Sequence, residues 1–253
     1  MNLLVIGDTI IDKSIYANAV GLSLESPTLK SNYKTEKSIF GGAANVAINA
    51  HRFGSEVTFL TSVTQDYKNL FEKENPGIQI HSVGSCENIK TRVYISKGDH
   101  EYKYLQINQV NRQDLDIAID LDLEQFDLIA ISDYRCGLIN QLIVDLVSKT
   151  SAVTYASSQE SDLGSNLIMY SDFDFIVCNE KESKAITRRN NVIITKGPNG
   201  CEMNGLSFVP QKIKKKDIKT TIGAGDVFYA SYLAKQDLSL AVGRASRYVK
   251  GTQ

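Results

Sequence analysis

Leu3-Leu4-Val5-Ile6-Gly7-Asp8 opens the chain with an unbroken apolar run closed by a glycine and an aspartate. A parallel strand covered by helices on both sides reads this way, because neither face needs polar residues. Beyond it, Gly41–Phe53 predicts an Ala-rich helix ending at Gly54, and Val57–Leu60 a second strand. Asp127–Ser132, Ala152–Ala156, Phe175–Cys178 and Val192–Thr195 repeat the short apolar run, with a helix predicted over Ile139–Ser148. This alternation predicts an α/β fold with a mostly parallel central sheet flanked by helices.

Two stretches break the rhythm. Thr28–Ser38 alternates weakly, and two polar-faced runs within Thr91–Asn108 flank Lys97-Gly98-Asp99, as in a hairpin. They predict a small β-sheet lid over an opening, built from about residues 13–38 and 90–110. Lys212-Ile213-Lys214-Lys215-Lys216 is an anion patch or, the favoured reading, a strand edge guarded by lysines.

With 253 residues, 42% of them hydrophobic, and a formal net charge of -1, the chain is expected to form one domain over residues 1–253. The charge balance argues against a nucleic-acid binder, and no apolar run approaches the roughly 20 residues that span a bilayer. Cys86, Cys136, Cys178 and Cys201 lie far apart, and no signal-peptide pattern is evident, so a reducing cytoplasm is expected. His51, His81 and His100 lack zinc-site spacing.

Ligands of open α/β sheets bind beyond the C-terminal strand ends, where several polar groups fall. Gly223-Ala224-Gly225-Asp226, before Val227-Phe228, is either a Gly-rich turn capped by Asp226 or an anion cradle with a proton acceptor beside it. Asp8 and Asp12 are turn caps or acceptors for two hydroxyls of a polyol. Gly41-Gly42-Ala43-Ala44-Asn45 brings backbone close to a ligand at a helix start, with Asn45 one turn in. Asn179 and Glu182 form a capping box or hold hydrated magnesium and phosphate oxygens. Lys196-Gly197-Pro198-Asn199-Gly200 is a hairpin turn or a nucleotide contact. A Gly-x-x-x-x-Gly-Lys-[Ser/Thr] phosphate loop does not occur.

In this order the residues resemble the ribokinase-type (PfkB) carbohydrate kinases: Gly7 with Asp12, Gly41-Gly42 with Asn45, Asn179-x-x-Glu182, Lys196-Gly197-x-x-Gly200 and Gly223-Ala224-Gly225-Asp226. The N-terminal half is most similar to the heptose-7-phosphate kinases of ADP-heptose synthesis, through Gly7-Asp8 with Ile11-Asp12, Leu24-Glu25-Ser26-Pro27, Gly41–Ala47, Thr91-Arg92 and Ser132-Asp133-Tyr134. The resemblance implies a ribokinase-like fold, ATP as donor, Mg2+, and a homodimer formed through lid strands. It makes Asp226 the general base and the N–H groups of Gly223, Ala224, Gly225 and Asp226 the anion hole. Asp12, Gly41, Gly42 and Asn45 would then bind sugar, and Arg92, Lys103 or Arg112 a sugar phosphate. Asn179, Glu182, Lys196 and Gly200 would serve the nucleotide, with Glu182 reaching the metal through water.

Three departures qualify these roles. Thr220 stands where the family usually has an aspartate that binds a monovalent cation, which puts potassium activation in doubt. Ala156-Ser157-Ser158 replaces the Asp-Pro-Lys of the heptose kinases, and Cys136 replaces a lysine. The stretch between Glu182 and Val192 is too short for the family's additional helix, so a reduced nucleotide side is expected. A second, nucleotidyl-transferring domain is not expected in this chain. Three functions follow: a heptose 7-phosphate kinase acting at the anomeric hydroxyl for a surface glycan, a kinase for another sugar, sugar phosphate or nucleoside, and a non-catalytic sugar- or nucleotide-binding regulator.

Overall fold

The computed structural model describes residues 1–111, 115, 118–160, 164–187 and 191–252. Arg112 lies outside the described residues. The chain runs β1 (Asn2–Gly7), β2 (Thr9–Leu22), β3 (Leu29–Gly42), α1 (Ala43–Arg52), β4 (Glu56–Thr61), α2 (Gln65–Glu74), β5 (Ile78–Ser82), β6 (Ile89–Lys97) and β7 (His100–Gln109). It continues through β8 (Leu128–Asp133), α3 (Gln141–Val147), β9 (Val153–Ser158), β10 (Phe175–Asn179), β11 (Val192–Thr195), β12 (Cys201–Met203), β13 (Leu206–Phe208), α4 (Ala224–Lys235) and α5 (Leu238–Val249).

Among the described residues the main sheet has nine strands in the order β13-β12-β11-β10-β9-β8-β1-β4-β5, and antiparallel pairing is confined to β11 with β12 and β12 with β13. The opening run behaves as a strand covered on both faces. Leu3 and Val5 pack with α1, α4 and α5, while Leu4 and Ile6 pack with Ile131, Leu138 and Ile143 on the other side. From β1 the chain steps to β4 and β5 on one side, whereas β8 leads to β9, β10 and β11 on the other. The strand order therefore reverses between β1 and β8, and a crevice opens at their C-terminal ends. Gly7 sits there because a Cβ would collide with the Ser132 carbonyl of the neighbouring strand.

The predicted lid is a separate sheet in the order β3-β2-β6-β7, with β2 and β6 parallel. Every residue of β7 is exposed, Tyr102, Tyr104, Leu105 and Ile107 included. The lysine-rich stretch corrects an expectation: Lys212–Lys214 is not in a strand, and Lys215–Asp217 forms one 3-10 turn. Pro210 just before it lacks an N–H for a ladder, and adjacent like charges oppose further pairing. Between Glu182 and β11 the described residues form a 3-10 turn at Glu182–Ala185 and no α-helix. The four cysteines are buried and form no disulfide among the described residues. Among the described residues, no helix is long and apolar enough to cross a membrane.

Candidate active site

Helix α4 is buried from Val227 to Leu233, so its apolar residues lie on nearly every side rather than in one stripe. Packing it into the core brings its first turn to the crevice. Gly223 precedes it at φ +82, where a side chain would also press on Asn45 and Tyr248. A Cβ on Gly225, in contrast, would meet nothing within 4 Å, so this turn faces open space. Helix geometry leaves the first N–H groups without intrahelical acceptors, and the dipole favours an anion beside them.

Asp226 stands in this turn, partly buried, with a donor on each oxygen. Asn45 Nδ2 donates to Oδ2 at 2.9 Å, and the Tyr134 hydroxyl donates to Oδ1. Asn45 is itself fixed, its Oδ1 accepting from Asn49 Nδ2 at 2.8 Å. Removal from water pushes the Asp226 carboxyl up to about 6; Tyr134 and Asn45 oppose this, nearby Asp12 adds to it and Lys90 counters it. Asp226 is thus ionised at neutral pH yet basic enough to accept a proton. Asn45, expected to hold sugar, has its Nδ2 committed to the Asp226 carboxylate.

Asp12 and Arg92, both expected at the substrate, pair with each other across the lid, with Nη1 and Oδ1 2.5 Å apart. Gly41 lies against the other Asp12 oxygen, which a Cβ would strike. Gly42, at φ +64, starts α1 where a Cβ would meet the Asp8 carbonyl. Lys103, also expected at a sugar phosphate, lies on exposed β7 and donates to Gln106 Oε1 at 3.3 Å.

Asp8 corrects another expectation. It is buried, and its carboxylate accepts three backbone N–H groups: Tyr134 at 2.9 Å, Cys136 at 3.1 Å and Leu138 at 3.2 Å. Burial and neighbouring Asp133 push it up to about 7 against those three amides. Asp8 shapes the loop after β8 rather than presenting an acceptor to a polyol.

The cleft beside Asp226 is lined by Asp133, Tyr134, Ser158, Asn179, Glu182 and Gly225, among others. Asn179 and Glu182 form the capping box: Asn179 Oδ1 accepts from the Glu182 N–H at 2.9 Å, and Glu182 Oε2 accepts from the Asn179 N–H at 2.8 Å. Burial still raises the Glu182 carboxyl. Ser158, in the place of the expected lysine, lies 2.9 Å from Asp133 and 2.5 Å from Asn166 Oδ1, inside a hydrogen-bonded network around the Asp133 carboxylate. Lys196 pairs with Glu202 at 2.5 Å. Gly200 is needed because a Cβ would collide with the Phe208 carbonyl, so this turn serves packing first. Thr220 Oγ1 accepts the Ile222 N–H at 3.1 Å, closing a local turn before the glycines.

Two residues at the site escape the motif reading. Tyr134 enters only within Ser132-Asp133-Tyr134, and Lys90, whose ammonium stands 5.5 Å from the Tyr134 ring centroid, is not singled out at all. A tyrosine in the loop after β8 that reaches Asp226 and a lysine of lid strand β6 that stands over the tyrosine ring are far apart in sequence and leave no local periodic signal.

A family model described as pfkB family carbohydrate kinase matches residues 1–247, and the chain belongs to that family of phosphotransferases. Among curated proteins, the Bifunctional protein HldE of a Nitratiruptor species is 23% identical over 256 residues, covering 90% of this chain and 55% of that protein. The Helicobacter acinonychis HldE is 29% identical over 164 residues, covering 58% and 35%. The chain thus spans about half the length of the curated relatives it matches. The ribokinase of Thermotoga maritima shares the fold with TM-score 0.66 at 17% identity, covering 98% of this chain and 92% of that one. Phosphofructokinase-2 from Escherichia coli, solved in complex with fructose-6-phosphate, does so with TM-score 0.67 at 14% identity, covering 99% and 94%. The fold is ribokinase-like.

Proposed function

We propose that this pfkB-family chain transfers the γ-phosphoryl group of ATP to the anomeric hydroxyl of a heptose 7-phosphate, feeding synthesis of nucleotide-activated heptose. The observation that carries the reading is the Asp226 carboxylate, held by Asn45 and Tyr134 beside the open first turn of α4. Asp226 takes the hydroxyl proton while the hydroxyl oxygen attacks the γ-phosphorus. The new O–P bond forms as the bridging P–O bond breaks, its electron pair leaving with ADP. The N–H groups from Gly223 to Asp226 stabilise the charge on the moving phosphoryl group.

Asp12, Gly41 and Gly42 border the acceptor side, and the Arg92 guanidinium supplies a cation for the sugar's phosphate. Similarity to the HldE proteins supports the heptose. The residues fit a magnesium ion of the loosely held kind, which keeps its waters and needs one or two carboxylates plus substrate phosphates. Glu182 and Asn179 would hold it through water, and it would neutralise phosphate charge. Among the described residues, no group of three or more His, Cys, Asp or Glu could cage a metal. The chain is further proposed to dimerise through its lid, whose outer strand exposes Tyr102, Tyr104, Leu105 and Ile107. Light scattering that gives a monomer at micromolar concentration counts against this.

A kinase for another sugar is the second reading, favoured by Ser157 and Ser158 where the heptose kinases carry Pro-Lys. The deciding experiment measures magnesium-dependent ADP release with D-glycero-D-manno-heptose 7-phosphate against a panel of sugars and nucleosides, with Asp226→Asn as control. Selective heptose turnover, lost in the variant, supports the first reading, and turnover on another acceptor the second. Folded protein with no turnover on any acceptor points to a non-catalytic binder.

A further inference from the structure

The donors on Asp226 come from different parts of the molecule. Asn45 belongs to α1, whereas Tyr134 belongs to the loop after β8 that the buried Asp8 carboxylate anchors through three backbone amides, the Tyr134 N–H among them. The tyrosine is therefore held at its own backbone by one carboxylate while its hydroxyl holds another. Its ring also lies under the ammonium of Lys90 from lid strand β6. Among the described residues, the charged and titratable groups facing Asp226 are Asp12 on β2, Lys90 on β6, Tyr134 after β8 and Tyr248 on α5. Of these, Tyr134 is the one whose hydroxyl reaches the carboxylate.

We propose that Tyr134 is a positioning residue for phosphoryl transfer: its hydroxyl fixes the rotation of the Asp226 carboxylate and supports its charged form, leaving the remaining lone pairs free for the acceptor hydroxyl. The tyrosine keeps its own proton throughout. Burial and the adjacent Asp226 charge push its hydroxyl well above the ordinary tyrosine value, so it acts as a donor and not as a second base. One hydrogen bond leaves a carboxylate able to swing about it, whereas one on each oxygen fixes the plane.

The inference rests on the reading of Asp226 as the base, and the test separates the two. Tyr134→Phe in the whole protein is expected to lower kcat by about tenfold to a hundredfold, the range for losing a hydrogen bond to a charged group. The KM for the sugar should stay within about twofold. The acid limb of the kcat/KM profile should move to higher pH. Independently of turnover, the carboxyl carbon of Asp226, assigned by its loss in Asp226→Asn, should titrate at higher pH in Tyr134→Phe. Fluorotyrosine in place of Tyr134, a stronger donor of nearly the same shape, should move that midpoint downward and keeps the test open if the phenylalanine variant does not fold. An unmoved midpoint in the folded variants overturns the proposal. So does a rise in sugar KM with unchanged pH behaviour, which would make Tyr134 a substrate contact. Wild-type protein that turns over no acceptor overturns the kinase reading alone, since the carbon titration still decides the role of Tyr134.

Discussion

The two sides of the cleft are built differently. On the proposed acceptor side, Asp226, Asn45, Tyr134, Asp12 and Arg92 meet from α4, α1, the loop after β8, and the two lid strands β2 and β6. On the proposed donor side, the polar groups are satisfied near home: Asn179 with Glu182, Lys196 with Glu202, Thr220 with Ile222. Groups held by distant parts of a fold are oriented by its whole packing, whereas groups held by a nearby turn are freer to exchange partners with a ligand. The acceptor side should thus be preorganised and intolerant of change, and the donor side tolerant.

The largest effect should come from Asp226→Asn, which is expected to cut turnover by about a thousandfold or more as the base is lost. In the wild type, kcat/KM should rise with pH through about 6 as Asp226 deprotonates, and level off above. Because the folded carboxyl holds its proton more tightly than the unfolded one, this group's stability contribution is present at low pH and is lost as pH rises through about 6. Asp226→Asn should accordingly raise Tm at pH 8 relative to wild type; a lower Tm would show that its hydrogen bonds outweigh its burial. Next comes Asn45→Ala, expected to lower kcat by about tenfold or more through a freed carboxylate while leaving the KM for ATP within about twofold. Arg92→Ala should raise the sugar-phosphate KM by about tenfold, and a change under about twofold would remove its phosphate role. Lys196→Ala should be smallest, changing the KM for ATP by less than about threefold, because Lys196 stands in a solvent-screened pair with Glu202, outside the lining of the cleft beside Asp226. A larger loss there than at Asn45 would reverse the contrast between the sides.

The sheet was readable because strands covered on both faces cannot hide: Leu3–Ile6, Ile129–Ile131 and Ile176–Cys178 are apolar without interruption. The helices were located less well at their ends. Ile139–Ser148 shrinks to Gln141–Val147, because Asn140 caps it by accepting the Ile143 N–H at 3.1 Å. Asp226 could be singled out because small residues before an aspartate at a helix start make either a capped turn or an anion cradle, and the order of the other motifs favours the cradle. Its partners could not, since Asn45 is 181 residues away and Tyr134 is 92. Asp8 could not be decided between turn cap and polyol acceptor for the same reason in reverse: the amides that consume its carboxylate lie 126 to 130 residues further on. A lone polar residue at a strand end looks identical whether it awaits a ligand or already holds a distant loop.

The parallel pairing of β2 with β6 carries a consequence for how the chain is made. The lid is stitched from two excursions, Thr9–Gly42 and Ile89–Gln109, separated by α1, β4, α2 and β5. As synthesis proceeds from the N-terminus, the β2–β3 hairpin leaves the ribosome well before the strand that completes its edge. Until Ile89–Lys97 arrives, β2 presents an open edge to any other nascent chain nearby. A stalled or truncated product ending before β6 would therefore be an aggregation hazard, while one ending after β7 would have the β2 edge covered by β6.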